Sequence, residues 1–457
     1  MDGALPKTSV AEILAHKIAA LAPPRLPAPV RRKCEDLLID VVGLCLTARN
    51  EDYVKAALAG WDEEGPCSAI GHARGMSAAG AAFVNGTAAH GEDFDDTFEG
   101  GPVHAGAVIV PAVLAACERY HADGPSALLG IAVGVEVICR LSLVAPKAVH
   151  KAGFHPTAVF GAMAAAAAVG AALKLGPRQL VDALGIVGSM AGGIIEYLAE
   201  GAWTKRLHAG WAAQSGLRAA LIGRAGFIGP RTVFEGVHGL FQGFAHTAHG
   251  DYDALTGDFG TRWVTDTLAF KPYPCGTMAQ PYIDCARRLA ARGVQAKDIK
   301  EFVCEVAEGT VHRLWEPLAD KQRPRNGYAA KFATPYLLAT GFVRGGVGLG
   351  AFTEEAIRDS GVLALAAKVK YVIDPRNPYP NNYTGHVRAT LKDGSAIEER
   401  QPHLRGGARE PLTRQDVTDK FALNTHHGGW TRARSDATLK LLAMLYSGRI
   451  DLSTLRS

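Results

Sequence analysis

Long stretches of this chain consist of little but small residues in helical spacing, and no other feature narrows its fold so far. "HAGAVIVPAVLAACERY" (104–120), "GAMAAAAAVGAALKLG" (161–176) and "HAGWAAQSGLRAALIGRAG" (208–226) place Ala and Gly at three- and four-residue intervals. Residues at those intervals share one helix face, and small ones let neighbouring helix axes approach closely. Alanine also has the highest helix propensity. The pattern predicts a multi-helix bundle, and the Ala-rich run at 162–168 reads as packing rather than as a site.

"VAEILAHKIAALA", stopped by the Pro-rich "PPRLPAP", and then "RRKCEDLLIDVVGLCLTA" add further helices. The longest apolar run, "ALLGIAVGVEVICRLSLVAP" (127–146), carries Glu136 and Arg140 near its middle. Four apart, they share a helix face and would be costly in lipid. A buried helix with an internal ion pair is expected, and no membrane contact. Near 270 the character changes. "EFVCEVAEG" (301–309) and "KVKYVID" (368–374) are strand-like, and "HVRATLKDGSAIEER" (386–400) alternates around Asp393-Gly394, a hairpin signal. "KFATPYLLATGFV" and "TEEAIRDSGVLALAAKV" read as helices, the second with Thr353 as its N-cap. After "HLRGGAREP" helical periodicity returns, with Thr413 capping "TRQDVTDKFAL". A chain of 457 residues also exceeds what one core usually serves. The prediction is a mainly α protein: an all-α domain from 1–268 and 405–457, and a smaller inserted α+β domain over 269–404.

Composition excludes several classes. A net charge of +4 with no basic block argues against nucleic acid as a partner. The eight cysteines are scattered without metal-knuckle spacing, as expected of reduced, buried thiols in a cytoplasmic protein. The start has no apolar core behind a basic cap, so no signal peptide is expected.

Titratable residues gather in four places. "AAHGEDFDDTFEGGPVHAG" (88–106) holds three aspartates, two glutamates and two histidines, with no Lys or Arg to offset them as a solvated loop would have. Its candidates are His90, Asp93, Asp95, Asp96, Thr97, Glu99 and His104, followed by breakers at Gly100-Gly101-Pro102. In "GFHPTAVFGAM", His155 precedes Pro156, which suits the first helical position. There the positive helix end favours neutral imidazole. In "WTKRLHAGWAAQSG", Lys205 and His208 lie three apart and would share a helix face. "FKPYPCGTMAQPYID" (270–284), at the domain boundary, fixes an irregular backbone carrying Lys271, Tyr273, Cys275 and Gln280.

These motifs, in this order and spanning most of the chain, resemble the MmgE/PrpD family, which includes 2-methylcitrate dehydratase, cis-aconitate decarboxylase and iminodisuccinate epimerase. The family's H-x-x-D-x-D-D-T is matched by His90, Asp93, Asp95, Asp96 and Thr97, and its next-helix histidine by His104. Its G-F-H-P histidine falls on His155 and the lysine of K-x-L-H-x-G on Lys205, with His208 beside it. The resemblance implies a large all-α domain built from both chain ends, an α+β lid, a homodimer and a cofactor-free site between the two domains. One departure matters: where the family commonly has a histidine four positions before Asp284, this chain has Gln280, which cannot exchange protons at neutral pH.

The reactions of that family share one step, making or breaking a C–H bond next to a carboxylate. That step needs a base, an acid and a cation for the developing charge. The expected catalytic set is Asp93, His104, His155 and Lys205, with His90, Thr97, His208, Lys271, Tyr273 and Gln280 holding a di- or tricarboxylate. Dehydration or decarboxylation is the expected reaction, with epimerisation of an aminodicarboxylate or an inactive binding protein as alternatives. No metal is expected, since His90, Asp93 and His104 have irregular ligand spacing. "DDTFE" (95–99) fits the magnesium motif of terpene synthases but lacks its partner motif, and "GVGLGA" (346–351) fits a nucleotide loop but follows no strand.

Overall fold

The computed structural model describes residues 8–101, 103–247 and 249–456. Pro102, one of the expected helix breakers, and the first seven residues of the supposed leaderless start lie outside them. The protein is mainly helical, and it divides into two compact units, Met1–Leu268 with Thr413–Ser457, and Ala269–Leu412.

In the first unit, helix α1 (Val10–Ala19) starts at Ser9 with a capping box: the Glu12 N–H donates to Ser9 Oγ and the Ser9 N–H to Glu12 Oε2. Then come α2 (Ala28–Ala48), a small antiparallel pair β1 (Glu64–Ser68) and β2 (Gly75–Met76), and helices α3 (Ala78–His90), α4 (Gly106–Tyr120), α5 (Gly124–Val144), α6 (Pro156–Ala172), α7 (Pro177–Gly188) and α8 (Thr204–Arg224). Every residue of α6 is buried, and it packs on α4, α5, α7 and α8.

Small residues make these contacts possible. A methyl group added to Gly210 on α8 would lie 2.1 Å from the Phe83 carbonyl oxygen on α3, and one added to Gly134 on α5 would lie 2.7 Å from Ala168 Cβ on α6. Real side chains do not approach so closely, so larger residues would prise the bundle open.

Helix α5 is long and apolar enough to cross a membrane, yet nearly all of it is buried in this unit. Its Arg140–Glu136 pair is fully engaged. Glu136 also accepts from the Val264 and Thr265 N–H groups and the Thr265 hydroxyl, and Arg140 donates to the Ala254 and Arg262 carbonyls. A buried pair is tolerated when its remaining donors and acceptors are satisfied in this way.

The second unit carries helices α9 (Gln280–Ala291), α10 (Thr334–Arg344) and α11 (Ser360–Ala366) on a four-stranded sheet. Strands β3 (Ile299–Val306), β4 (Val369–Ile373), β5 (Gly385–Leu391) and β6 (Ala396–Gln401) take the order β4-β3-β5-β6. β3 runs parallel to β4 and antiparallel to β5, and β5–β6 form the hairpin, with Gly394 at φ 89° in its turn. Phe302, Trp315 and Tyr336 fill its core.

Two expectations need correction here. The helix expected from Thr353 is split: Thr353 caps only a short turn at Ala356–Arg358, and Asp359 restarts the chain by accepting from the Gly361 and Val362 N–H groups. Residues 405–412 belong to the second unit, not to the helical one. The Phe270 N–H donates to the Gly406 carbonyl and the Arg405 side chain bonds Asp284, which holds this strand-free segment beside 270–284.

The chain returns to the first unit in α12 (Arg414–His427), capped by Thr413 with Asp416, and α13 (Arg432–Leu445). Helix α12 packs along α2, where Lys420 is buried against Asp40 at 2.7 Å. All eight cysteines are free and buried.

Candidate active site

Helix α3 ends on His90, and the chain then turns inward rather than out to water. His90, Asp93, Asp95, Asp96 and Thr97 all keep 6% exposure or less. The turn requires Asp93 to adopt φ 53°, a left-handed conformation that Asp tolerates better than most residues. Lys420, arriving from α12, donates to the Phe94 carbonyl at 2.7 Å and clamps the stretch from behind.

Each aspartate of this stretch has a separate task. Asp93 forms a buried ion pair with Lys205, from the first turn of α8. The Asp95 carboxylate accepts from His90 Nδ1 at 2.6 Å and lies 3.7 Å from His104 Nδ1. Asp96 caps α4, its two oxygens accepting from the Ala105 and Gly106 N–H groups at 2.8 Å. Burial, and secondly the charge of Asp95, outweigh those two bonds and push the Asp96 carboxyl up to about 7.

The Asp96 carbonyl accepts from His104 Nδ1 at 2.7 Å. A carbonyl can only accept, so Nδ1 carries a proton, and in the neutral ring Nε2 is the basic nitrogen. For His90 the carboxylate partner places the proton on Nδ1 likewise, and its buried Nε2 has no hydrogen-bond partner among the described residues.

His155 is the residue before α6, with Pro156 at the first helical position as its sequence suggests. Its N–H donates to the Gly193 carbonyl, and its Nδ1 meets His208 Nδ1 at 3.2 Å, so one of the two rings donates and the other accepts. The His155 ring stacks on His90 at 5.6 Å between centroids, and Tyr197 sits edge-on to both His155 and His208. Desolvation, followed by the neighbouring histidines and Lys205, holds His155 well below the usual imidazole range. Burial first, then His90 and Lys205, lowers His208 to about 4. Both rings are therefore neutral at physiological pH.

Of the residues singled out from sequence, His90, Asp93, Thr97, His104, His155, Lys205 and His208 thus lie within the first unit, where contacts join the four histidines, Asp93 pairs with Lys205, and the charge of Lys205 acts on His155 and His208. Lys271, Tyr273 and Gln280 lie in the second unit and are buried there. The Tyr273 hydroxyl donates to Asp284 at 2.6 Å and accepts from Arg287 and Arg405. Gln280 donates to the Tyr273 and Cys275 carbonyls, leaving its Oε1 without a partner among the described residues.

Sequence reasoning passed over Asp95 as the residue that orients His90. It also passed over Tyr197 and Lys420. Asp95 stood in the motif itself, whereas Tyr197 and Lys420 have no local signal that could have marked them.

His90, Asp95 and His104 offer nitrogen and oxygen atoms within 4.8 Å of one another, the closest approach to a metal-ligand set among the described residues. Imidazole with carboxylate suits several transition metals. Both Nδ1 atoms donate hydrogen bonds, to Asp95 and to the Asp96 carbonyl, so the ligand atoms left on the two rings are the Nε2 nitrogens.

Comparison with known proteins gives the family of the whole chain. Residues 12–252 match the MmgE/PrpD N-terminal domain and residues 273–442 the MmgE/PrpD C-terminal domain. The human cis-aconitate decarboxylase is 31% identical over 359 residues, covering 75% of this chain and 72% of its own length. The cis-aconitate decarboxylase-like protein oryM of Aspergillus oryzae is 27% identical over 440 residues (91% of this chain, 90% of its own). The cis-aconitate decarboxylase of Aspergillus terreus is 26% identical over 445 residues (91% and 89%). With both domain families matched along most of its length, this chain belongs to the MmgE/PrpD family.

Proposed function

We propose that the chain is a lyase acting on a di- or tricarboxylate by proton transfer next to a carboxylate, using its own side chains. Decarboxylation of a cis-aconitate-like substrate is the foremost reading and dehydration of a citrate-like one the next. The observation that carries it is the buried group of neutral imidazoles around the Asp93–Lys205 pair, and the decarboxylase names of the relatives support it.

In decarboxylation the bond from carbon to one carboxylate breaks and CO2 leaves. The electron pair passes into the adjacent unsaturated carboxylate, and a proton is added to carbon. The Lys205 ammonium is the cation placed to offset that charge, and it is strongest where water is excluded. An imidazole supplies the proton. The cluster binds its substrate with imidazoles uncharged, and the arriving carboxylates raise their affinity for protons. Substrate binding then loads the acid that the reaction uses. His104, with its fixed tautomer and partly exposed ring, is the assigned donor.

The test is turnover by the purified protein on aconitate-like, citrate-like and aminodicarboxylate compounds, with Lys205→Met alongside. The expected result is release of CO2 or water from one of them, lowered about a hundredfold or more by the substitution. Turnover confined to aminodicarboxylates would favour epimerisation. Absence of turnover on all of them, or full activity in the variant, would overturn the proposal.

A further inference from the structure

Asp284, Arg287, Arg288 and Ala291 recur at three- and four-residue intervals along α9, so they stand above one another on one side of that helix. They border a cavity of about 470 Å³ within the second unit, to which Arg405, from the segment after β6, and Gly345, at the end of α10, add further walls. That volume lies within the range of small-molecule sites, roughly 300–1,000 Å³. None of these residues has a part in the proposed lyase chemistry.

Two guanidiniums meet here over one carboxylate. Arg287 Nη1 and Arg405 Nη2 both donate to the Tyr273 hydroxyl, at 2.8 and 3.1 Å. Arg405 Nε donates to Asp284 Oδ1 at 3.1 Å, and Arg287 Nη1 lies 3.8 Å from the same oxygen. Beside them Arg288 and Arg292 share Glu399, at 2.9 and 2.5 Å. Four cations that stay charged at any ordinary pH thus face two carboxylates, a surplus of two positive charges. Neighbouring charges do not cancel it: Arg344 pairs with Asp359 and Arg400 with Glu305, while Glu410 accepts from Gln401 and does not line the cavity. Like charges gathered this closely repel, and the C-terminal end of α9 offsets only about half a charge. An anion of charge two would remove the repulsion.

The guanidiniums are also held in place. Arg287 Nε donates to the Gly345 carbonyl at 2.7 Å, and Arg288 donates to Gln401 Oε1 and the Arg400 carbonyl at 2.7 and 2.9 Å. Arg287 and Arg405 each spend two of their five N–H groups in the bonds described. Both side chains are partly exposed, and Ala291 and Gly345 leave the approach open, since a methyl group added to Gly345 would meet nothing within 4 Å.

We propose that this cavity binds a phosphate group, as the free ion or as a small monoester. A tetrahedral dianion matches the surplus of charge and accepts from several guanidinium N–H groups at once. A single carboxylate group would answer only one of the two charges. The site stands whether or not the lyase reading holds.

The experiment is calorimetric titration of the full chain with inorganic phosphate, phenyl phosphate and tricarballylate, in a low-salt buffer free of other oxyanions. One phosphate per chain is expected, its affinity lowered about tenfold or more by Arg405→Met and by Ala291→Glu. The second variant places a carboxylate on the cavity wall at an exposed helical position and removes none of the bonds above. It decides the matter if circular dichroism shows that Arg405→Met does not fold. Arg358→Met, which removes an exposed charge elsewhere in the second unit, should leave the affinity within about twofold of the parent. Tighter binding of phenyl phosphate than of phosphate identifies an ester as the ligand, and equal or weaker binding identifies the free ion; both sustain the site. No saturable binding up to about 10 mM phosphate, or binding unchanged in Ala291→Glu, would overturn the proposal. Tricarballylate bound more tightly than phosphate, and lost in the same variant, would do so too.

Discussion

The acidic stretch at 90–97 and the boundary segment at 270–284 carry similar residues, yet they are built for different work. In the first, aspartates hold imidazoles whose protons are exchangeable, and one lysine answers one of the carboxylates. In the second, Asp284 is matched by Arg287 and Arg405, which stay charged at any ordinary pH, and by a tyrosine hydroxyl pushed up to about 12. The first region thus holds an aspartate, Asp96, pushed up to about 7, whereas the carboxylate of the second is matched by permanent charges. Burial alone does not separate them, since both are buried. What separates them is whether the charges facing each other are permanent or titratable.

The largest effect should come from separating the Asp93–Lys205 pair. Asp93→Asn leaves a buried ammonium without its carboxylate, which typically costs about 3–5 kcal/mol of stability, and Lys205→Met does the reverse. The double variant should recover much of the loss in denaturant unfolding, because it removes both charges together. In the second region, Tyr273→Phe should cost only about 1–3 kcal/mol, the effect of one buried partner lost, and should lower activity less than Lys205→Met does. The reverse ranking would undo the contrast between the two regions.

A smaller effect concerns pH. The folded pKa of His208 is about 4 and its unfolded value near 6.5, so between these limits the unfolded chain binds the extra proton. Stability should therefore fall as pH drops from about 6.5 towards 4, and His208→Asn should weaken that limb. Asp96 acts with the opposite sign. Its folded pKa of about 7 exceeds 3.8, the folded chain holds the proton between them, and stability should fall as pH rises from 3.8 through 7. Thermal unfolding across this range, on wild type and His208→Asn, checks both slopes.

Lys420→Met should lower kcat severalfold with little change in KM, because it releases the Phe94 carbonyl behind the site rather than a group that meets substrate. Asp40 also loses its ion pair with Lys420, so the same variant should unfold earlier. The smallest expected change is from chelation. If His90, Asp95 and His104 serve as a hydrogen-bonded network, dialysis against a strong chelator leaves activity within twofold of the untreated protein, and elemental analysis of the purified protein finds less than one metal per several chains.

Much of this organisation was legible in the sequence where the signal is local. The Ala and Gly spacing of 161–176 and 208–226 forecasts the close helix contacts because small residues at helical intervals have few other uses. The Asp393-Gly394 turn and the Thr413 cap are equally local, as is the place of His155 just ahead of Pro156. The division of labour among Asp93, Asp95 and Asp96 was not legible. All three stand within four residues, and only the fold decides which faces Lys205, which faces His90 and which closes the helix. Lys420 lies 326 residues from the carbonyl it holds, and no spacing rule reaches that far. The split at Asp359 escaped because apolar periodicity continues through a residue whose carboxylate competes for the backbone N–H groups.

The most direct measurement follows the proton itself. Reaction of the purified protein with an aconitate-like substrate in deuterated water, read by NMR, should give a product with one solvent deuterium on the carbon next to the carboxylate that takes up the displaced electron pair, at a rate that falls when His104 is replaced by Asn. Product bearing no solvent deuterium, or an unchanged rate in the His104→Asn protein, would contradict the assignment of proton delivery to the buried imidazoles.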